Sequence, residues 1–285
     1  MTTGITGING FVGGSLYEFF KNSRSPALGL STAPRTPDIV RLQDGVPQGK
    51  FPEMDSIVHC GGLVGEGYKA GEYRYANVEC TERLLQWCGE NGIRQFVFFS
   101  TGGVYGEREG WVDETAELNP RGLYSESKVL AEEKVGRSGI PAKTILRLYF
   151  PIGELRYKHL FSRLARAVRD GKEVFLNDEA GRPRISPIWI NDVCRIVAEL
   201  LGRKLGGVYN LSANAAITIG EVVELMSSLF GTHPKKNIRN IPSADFLGKA
   251  DKVIAAAGGI APAQPRDAIR SVVAGFQQTE GRPPA

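Results

Sequence analysis

The stretch Thr3-Gly-Ile-Thr-Gly7-Ile-Asn-Gly10-Phe-Val-Gly13 decides the fold of this 285-residue chain. A short strand-forming run ends at Gly7, and an amphipathic segment begins near Phe11. Glycines at 7, 10 and 13 would let the backbone turn sharply and let a phosphate group approach it closely. The free N–H groups of the first helical turn would then face the phosphate charge. The stretch therefore predicts a dinucleotide-binding strand–turn–helix unit.

The rest of the chain alternates short apolar runs with longer amphipathic segments, which is the pattern of βαβ units. We predict strands at Met1–Thr6, Ala27–Ser31, Ser56–His59, Phe96–Thr101 and Lys143–Tyr149, and helices at Val12–Phe20, Tyr75–Glu90 and Tyr124–Val135. The fold class is therefore α/β, with a doubly wound parallel (Rossmann) sheet. We assign residues 1–152, joined by 185–202, to the dinucleotide-binding domain, and residues 153–285 mainly to a smaller C-terminal substrate-binding lid.

Composition excludes several classes of protein. The formal net charge is +4 without a basic block, which argues against a nucleic-acid-binding protein. No apolar run approaches the roughly 20 residues that span a bilayer, so no membrane association is expected. The 4 cysteines form no CxxC pair and the 3 histidines are scattered, so neither a metal site nor a disulfide framework is predicted. The chain starts without the basic and apolar regions of a signal peptide, which favours a cytoplasmic protein.

The end of the second predicted strand bears on the choice of dinucleotide. An acidic residue there would bind the adenine-ribose 2′-hydroxyl of NAD, whereas a nearby arginine suits the 2′-phosphate of NADP. The segment from Leu28 to Arg35 contains no acid, and it offers Ser31 and Arg35 instead. These two residues favour NADP(H) over NAD(H), without excluding the latter.

Tyr124 and Lys128 are four residues apart, so they lie one above the other on a predicted helix. A neighbouring ammonium favours the phenolate and would lower the tyrosine pKa from about 10 towards neutrality. Such a tyrosine can exchange a proton with a carbinol or ketone oxygen while a hydride moves at carbon. Thr101, at the end of a predicted strand, could hydrogen-bond the same oxygen.

These motifs and several others follow one another along the chain. They are the glycine triplet, Asp55–Gly62, Asn77–Val78, Ser100–Gly106, the Tyr124/Lys128 pair, Leu146–Arg147 with Gly153, Arg184–Asp192 and Gly207–Leu211. In this combination the chain resembles the extended short-chain dehydrogenase/reductase family, the NAD(P)-dependent epimerase/dehydratase group. Its members act largely on nucleotide-activated sugars, so the resemblance implies a small-molecule substrate of that kind.

The resemblance also implies roles for individual residues. Tyr124 would be the catalytic acid/base, Lys128 its activator and the ribose anchor, and Thr101 their hydroxyl partner at the substrate. The remaining implied cofactor contacts are Gly7, Gly10, Phe11, Val12 and Gly13 at the pyrophosphate, Gly61 and Gly62 along the cleft, and Asn77 in support of the site. A homodimer pairing through helices such as Tyr75–Glu90 and Tyr124–Val135 is a further implication.

Three departures from the family pattern affect the expected reaction. Gly102-Gly103 stands where dehydratases carry Asp-Glu, which argues against a 4,6-dehydratase. A familiar substrate-contacting asparagine falls at Phe150 or Pro151. Arg184 lies about one residue out of register with the arginine that commonly grips the nucleotide diphosphate. We still expect Phe150, Pro151 and Arg184 at the substrate.

Three functions are compatible with this sequence. The favoured one is a 4-ketoreductase that delivers hydride from NADPH to a keto-sugar. The second is an NAD-dependent nucleotide-sugar epimerase of the UDP-glucose 4-epimerase type, which keeps its cofactor and returns hydride to the opposite face. The third is a non-catalytic dinucleotide-binding redox sensor, against which the complete Thr101, Tyr124 and Lys128 set argues.

Overall fold

The computed structural model describes residues 2–23, 25–155 and 157–280. The first half of the chain forms β1 (Thr3–Thr6), α1 (Phe11–Asn22), β2 (Ala27–Ser31), β3 (Val40–Gln43), β4 (Val46–Pro47), β5 (Ser56–His59), α2 (Ala70–Tyr73), α3 (Cys80–Glu90), β6 (Gln95–Thr101), β7 (Trp111–Val112), α4 (Leu123–Arg137) and β8 (Ala142–Leu148). A π-helical segment, Arg74–Glu79, joins α2 to α3, and a 3₁₀ turn, Gly102–Tyr105, follows β6.

The second half mixes short strands with helices. It forms β9 (Pro151–Ile152), α5 (Leu160–Arg169), β10 (Val174–Leu176), β11 (Arg184–Ile185), β12 (Ile188–Trp189), α6 (Ile190–Gly202), β13 (Gly207–Leu211), β14 (Ile217–Thr218), α7 (Ile219–Phe230), β15 (Lys236–Ile238), β16 (Leu247–Gly248), α8 (Asp251–Ala256) and α9 (Pro265–Glu280). In the segments that the structure describes, no helix is long and apolar enough to cross a membrane.

The central sheet has the strand order β13-β8-β6-β5-β1-β2-β3-β4. Its neighbours run parallel, except that β4 is antiparallel to β3. Thr6 pairs with His59 and Thr101 pairs with Leu148, so the carboxyl ends of these strands lie at one edge. The predicted doubly wound parallel sheet is confirmed, and the edge where such sheets bind ligands carries the predicted motifs.

Apolar side chains cover both faces of the sheet, as a parallel sheet requires. One face packs against α1 and α6 through residues such as Leu16 and Ile196. The other face packs against α3 and α4 through residues such as Leu84 and Ala131. A separate cluster in the second half joins α5, α7 and α9, with Phe161, Val222 and Ile269 among its buried members.

More residues of the second half join the dinucleotide-binding domain than we predicted. Only residues 185–202 were expected to do so, but β13 also pairs in parallel with β8 over Gly207–Leu211. Three residues of β13, Tyr209–Leu211, are buried, and pairing covers an edge of β8 that would otherwise be open. The strand's own hydrophobic run was visible in the sequence, but its partner strand was not.

Candidate active site

The turn after β1 passes so close to its neighbours that side chains are excluded. A Cβ atom on Gly7, whose φ is +70°, would lie 2.7 Å from the carbonyl carbon of Cys60. A Cβ atom on Gly13 would lie 2.4 Å from the carbonyl oxygen of Gly7. Gly10 is the N-cap of α1 and provides no side-chain cap, and the first turn contains no acidic residue. The N–H groups at this helix start are therefore available to an anionic ligand.

Phe11 and Val12 begin α1, and their side chains turn away from the glycine loop. The Phe11 ring stacks on His159 with 4.5 Å between ring centroids, and it lies 5.4 Å from the Tyr157 ring. Val12 is half-buried against the core of the sheet. The Phe11 side chain connects α1 to the segment that precedes α5. Contact of these two residues with a pyrophosphate stays a prediction.

Ser31 and Arg35 differ in their surroundings. The Asn9 side-chain amide donates a 2.8 Å hydrogen bond to the Ser31 hydroxyl, and the Ala33 N–H donates another of 3.0 Å. Ser31 thus fastens the glycine loop to the end of β2. Arg35 is exposed on the next loop, and within residues 2–23, 25–155 and 157–280 it makes no hydrogen bond or ion pair. Its role at a 2′-phosphate stays a prediction.

The Thr6 hydroxyl organises the chain after β5. It lies 2.7 Å from His59 Nδ1 and accepts hydrogen bonds from the N–H groups of Cys60 and Gly61, at 3.1 Å and 3.0 Å. The other His59 nitrogen lies 3.0 Å from the Thr81 hydroxyl, and burial lowers the His59 pKa to about 3. His59 is therefore neutral and structural, and sequence reasoning missed Thr6 because only the parallel pairing brings it there.

Asn77 connects the loop after β5 to α4. Its side-chain oxygen accepts the Leu63 N–H at 2.7 Å, and its amide donates to the Leu63 carbonyl at 3.0 Å and to the Ser127 hydroxyl at 2.9 Å. The Ser127 hydroxyl in turn donates to the Tyr124 carbonyl at 2.7 Å. A Cβ atom on Gly62 would lie 2.6 Å from the Asn77 oxygen, so glycine is required beside this amide.

Thr101 at the end of β6 lies close enough to Tyr124 at the start of α4 to act on its phenol, so these two elements share one site. Burial and the neighbouring Tyr73 phenol raise the Tyr124 pKa to about 12, while Thr101 acts in the opposite direction. The Tyr73 and Tyr124 ring centroids are 6.4 Å apart. The lowering by Lys128 that we expected is not observed, because removing the phenol from water dominates its pKa.

Lys128 is buried, and its Nζ lies 4.2 Å from the centroid of the Phe98 ring. Burial lowers the Lys128 pKa to about 8, whereas Cys60 and, to a smaller extent, Glu132 act to raise it. Across the described parts of the chain, no carboxylate forms an ion pair with Lys128. The ammonium is therefore held mainly by a ring face and by more distant charge, which is a weak substitute for hydration.

Gly102 has no room for a side chain, and Gly103 lies against a serine hydroxyl. A Cβ atom on Gly102 would lie 2.5 Å from the Tyr149 ring, and one on Gly103 would lie 2.8 Å from the Ser125 hydroxyl oxygen. The Gly103 N–H donates to the Thr101 hydroxyl at 3.1 Å. The tight 3₁₀ turn therefore serves to orient Thr101.

Two of the predicted substrate residues, Arg184 and Phe150, contact Asp245 and Phe246. Arg184 makes a two-pronged ion pair with Asp245, including a 3.0 Å bond from Nε to Oδ1. Phe150 has a φ of +35°, and its ring centroid lies 5.8 Å from that of Phe246. Pro151 pairs with Ile188 in a two-stranded sheet. Arg184 is engaged by a carboxylate, and its contact with a diphosphate stays a prediction.

A glycine turn at the first strand–helix junction and a Thr–Tyr–Lys set at the same sheet edge define a dinucleotide-binding protein of the short-chain dehydrogenase type. Among the described residues, no group of three or more His, Cys, Asp or Glu side chains is placed to hold a metal ion. The family model for the NAD dependent epimerase/dehydratase family matches residues 4–212. This chain belongs to that family.

Relatives and solved structures agree with this assignment. A Bacillus subtilis (strain 168) protein named as an uncharacterized UDP-glucose epimerase, YtcB, is 25% identical over 259 residues, covering 80% of this chain and 81% of that protein. The Danio rerio methionine adenosyltransferase 2 subunit beta is 27% identical over 261 residues, covering 85% and 75%.

Two solved structures show the same fold. The Bacillus cereus UDP-glucuronic acid 4-epimerase, in complex with UDP-glucuronic acid and NAD, matches with a TM-score of 0.84 and 20% identity, over 98% of this chain and 100% of that chain. The Thermus thermophilus UDP-glucose 4-epimerase, in complex with NAD, matches with a TM-score of 0.83 and 20% identity, over 97% and 99%.

Substitution of Gly13 tests the close approach at the first turn. Gly13→Ala should lower the free energy of unfolding by about 1–3 kcal/mol, because the new methyl group meets a backbone carbonyl that cannot move freely. The matched control is Gly89→Ala in α3, where no atom lies within 4 Å of the new Cβ. That change should raise stability by about 0.5–1 kcal/mol. Urea unfolding of both variants measures this, and equal effects would contradict the packing argument.

Substitution of Lys128 tests the cost of burying its charge. The folded pKa of about 8 lies below the ordinary lysine value, so the unfolded chain binds more protons between these two pH values and stability rises with pH there. Lys128→Met should therefore be stabilising near neutral pH. The amount by which its free energy of unfolding exceeds that of the wild type should decrease by about 2 kcal/mol between about pH 7 and about pH 9.5. Urea midpoints across this range measure the trend, and a pH-independent difference would show that Lys128 titrates normally.

Proposed function

We propose that this protein is an NAD-dependent epimerase that oxidises and re-reduces a carbinol carbon of a nucleotide-activated sugar. The observation that carries the proposal is the placement of Thr101 beside the Tyr124 phenol at the sheet edge, with Lys128 one helical turn further along α4. This is the arrangement that proton exchange at a carbinol oxygen requires. The names of its relatives and the solved structures it matches support a UDP-sugar as the substrate class.

The residues around the first turn fit a dinucleotide. Gly7 and Gly13 leave a cradle that any Cβ atom would fill, and the start of α1 offers N–H groups without a side-chain cap. A bound nicotinamide dinucleotide supplies the hydride acceptor and donor. The Thr6 hydroxyl accepts the N–H groups of Cys60 and Gly61 and so fixes the chain along the cleft. Lys128 on α4 would present its ammonium to a ribose.

We favour NAD(H) as the cofactor. The structures that match this chain are complexes with NAD, and the comparisons give the NADP preference predicted from Ser31 and Arg35 no support. Ser31 is engaged by Asn9, and Arg35 is exposed. The end of β2 has no acidic residue to bind the adenine-ribose 2′-hydroxyl. That absence does not by itself indicate that a 2′-phosphate binds there.

Proton transfer falls to Tyr124. With a pKa of about 12, its hydroxyl is protonated at neutral pH and ready to donate to a ketone oxygen. To accept a proton from a carbinol, it must first be a phenolate, and we assign to the Lys128 ammonium, on the same helix face, the role of favouring that form. Thr101 holds the reacting oxygen in line with the phenol. The structure of Gly102 also supports a reaction without elimination, since no acidic side chain fits there.

A reductase remains the second candidate. The observation that favours it is the segment after β2, which lacks an acid and carries Arg35, a residue suited to a 2′-phosphate. A 4-ketoreductase would use the same Tyr124, Lys128 and Thr101 groups, but it would exchange its cofactor in every cycle. Cofactor retention therefore separates the two reactions.

A non-catalytic role is the candidate of another class. The name of the zebrafish relative makes it a subunit of methionine adenosyltransferase, whose named activity is not that of an oxidoreductase. The complete Thr101, Tyr124 and Lys128 set argues against such a role here, because a binding module has no need of an acid/base.

A homodimer is also part of the proposal. The helices expected to pair carry exposed apolar side chains, since Tyr75 is 43% exposed and Leu130 is 42% exposed. Lys134 on α4 is paired with Glu82 on α3 at 2.6 Å, so the two helices form one continuous surface. Self-association would cover the apolar part of that surface.

Removal of the phenol hydroxyl tests the acid/base assignment. Tyr124→Phe should reduce turnover by roughly 10²- to 10⁴-fold while NAD binding persists, because only proton transfer is lost. The matched control is Tyr209→Phe in β13, which removes a 3.0 Å hydrogen bond to the Gly206 carbonyl. Steady-state rates and NAD titration measure both variants. A Tyr124→Phe enzyme with near-normal turnover would remove Tyr124 from the mechanism.

Cofactor content separates epimerase from reductase. We expect the purified protein to carry NAD(H) and to interconvert UDP-hexose epimers without added cofactor, because an epimerase regenerates its own oxidant. Absorbance, chromatography of the released nucleotide and product analysis provide the measurement. Empty protein that consumes NADPH in proportion to a keto-sugar would instead establish the reductase.

A further inference from the structure

One buried ion pair beneath the site has no part in the reaction described above. Glu132 of α4 and Arg147 of β8 meet through two hydrogen bonds, of 2.7 Å and 3.2 Å, and each side chain is 7% exposed. Burial of two charges is costly even when they pair well, and apolar residues of similar volume often serve stability as well or better. The pair therefore calls for an explanation other than stability.

The Glu132–Arg147 ion pair lies next to Lys128 along α4. Glu132 follows Lys128 by four residues on α4, so the two side chains project from the same helix face. Both are buried against the sheet. Lys128 lies over Phe98 of β6, and Glu132 reaches Arg147 of β8, the neighbouring strand. The carboxylate of Glu132 is thus fixed by Arg147 one helical turn below the ammonium.

The same pair extends to the turn that carries Thr101. Arg147 donates a 2.8 Å hydrogen bond to the Tyr105 hydroxyl, which donates at 2.9 Å to the Asn210 side-chain oxygen. Tyr105 ends the 3₁₀ turn that begins directly after Thr101. One buried network therefore connects the helix of Lys128 to the strand end of Thr101 and prevents the Glu132 carboxylate from swinging away.

We infer that Glu132, held by Arg147, is a positioning residue for Lys128: its carboxylate provides the negative charge that keeps the buried Lys128 side chain an ammonium. This inference rests on the proposed function, in which that ammonium assists Tyr124.

The other titratable groups near Lys128 do not provide that charge at neutral pH. Burial lowers the His59 pKa to about 3, so this imidazole is neutral. Burial raises the pKa of the Cys60 thiol well above its ordinary value, so the thiol is neutral as well. The Tyr124 phenol is protonated, with a pKa of about 12. Glu132 raises the Lys128 pKa against the effect of burial, and it is the anion among these neighbours.

Glu132→Gln provides the test, since it keeps the size and one acceptor oxygen but removes the charge. We expect the midpoint of Lys128 titration to fall by at least about half a pH unit, because the carboxylate charge no longer opposes the lowering of the Lys128 pKa by burial. The readout is the difference in the free energy of unfolding between the protein that has Lys128 and its Lys128→Met variant, measured as a function of pH. This difference is measured once in the wild-type background and once in the Glu132→Gln background. In the active enzyme, the alkaline limb of kcat/KM should move to lower pH by the same amount.

Two variants separate charge from structure. Glu132→Asp keeps the charge, so the midpoint should remain within a few tenths of a pH unit of the wild type even if stability falls. Asp192→Asn removes another buried carboxylate, which accepts the Ala263 N–H at 2.8 Å and pairs with Arg195, and it should lower stability without moving the midpoint. If Glu132→Gln fails to fold, Glu132→Gln/Arg147→Met removes both charges together and should still lower the midpoint.

An unchanged Lys128 midpoint in the charge-free variants would overturn the inference and leave the pair a purely structural contact. The stability readout needs no turnover. A protein that lacks all activity but shows the midpoint shift would refute the proposed function while retaining the link between Glu132 and Lys128.

Discussion

The contact on which this structure depends is the backbone-to-backbone approach between the first turn and the chain that leaves β5. Gly7 lies against the backbone of Cys60, and Gly13 packs against Gly7 so closely that neither position can carry a Cβ atom. The Thr6 hydroxyl then gathers the N–H groups that follow β5. This approach brings the helix start of α1 and the cleft after β5 together at one edge of the sheet, where an anion can reach both.

Two sets of hydrogen bonds locate α4 relative to that edge. On one side, Asn77 connects the loop after β5 to Ser127 and through it to the Tyr124 backbone. On the other side, Glu132 and Arg147 connect α4 to β8 and to the turn after Thr101. A helix held at two points cannot slide along the sheet, so the Tyr124 phenol keeps its place beside Thr101.

Desolvation shifts the titratable groups of the site in opposite directions, as it must for acids and bases of different charge. It makes Tyr124 a weaker acid and Lys128 a weaker base, and it keeps His59 neutral. The phenol is therefore a proton donor at neutral pH, and the lysine is close to losing its charge. Proton transfer in both directions needs additional negative charge near Lys128, and for this reason the surroundings of that one side chain matter to the chemistry.

The sequence by itself determined the features that depend on local spacing and chain order. These are the alternation of strands and helices, the glycine turn, and the location of Thr101 at a strand end and of Tyr124 and Lys128 on one helix. Only the tertiary structure decided that β13 joins the sheet, that Asp245 engages Arg184, and that Arg147 fixes Glu132 below Lys128. It also reversed the expected direction of the Tyr124 pKa. Those outcomes depend on which distant segments meet and how completely they exclude water, and neither property is encoded in the spacing of residues along the chain.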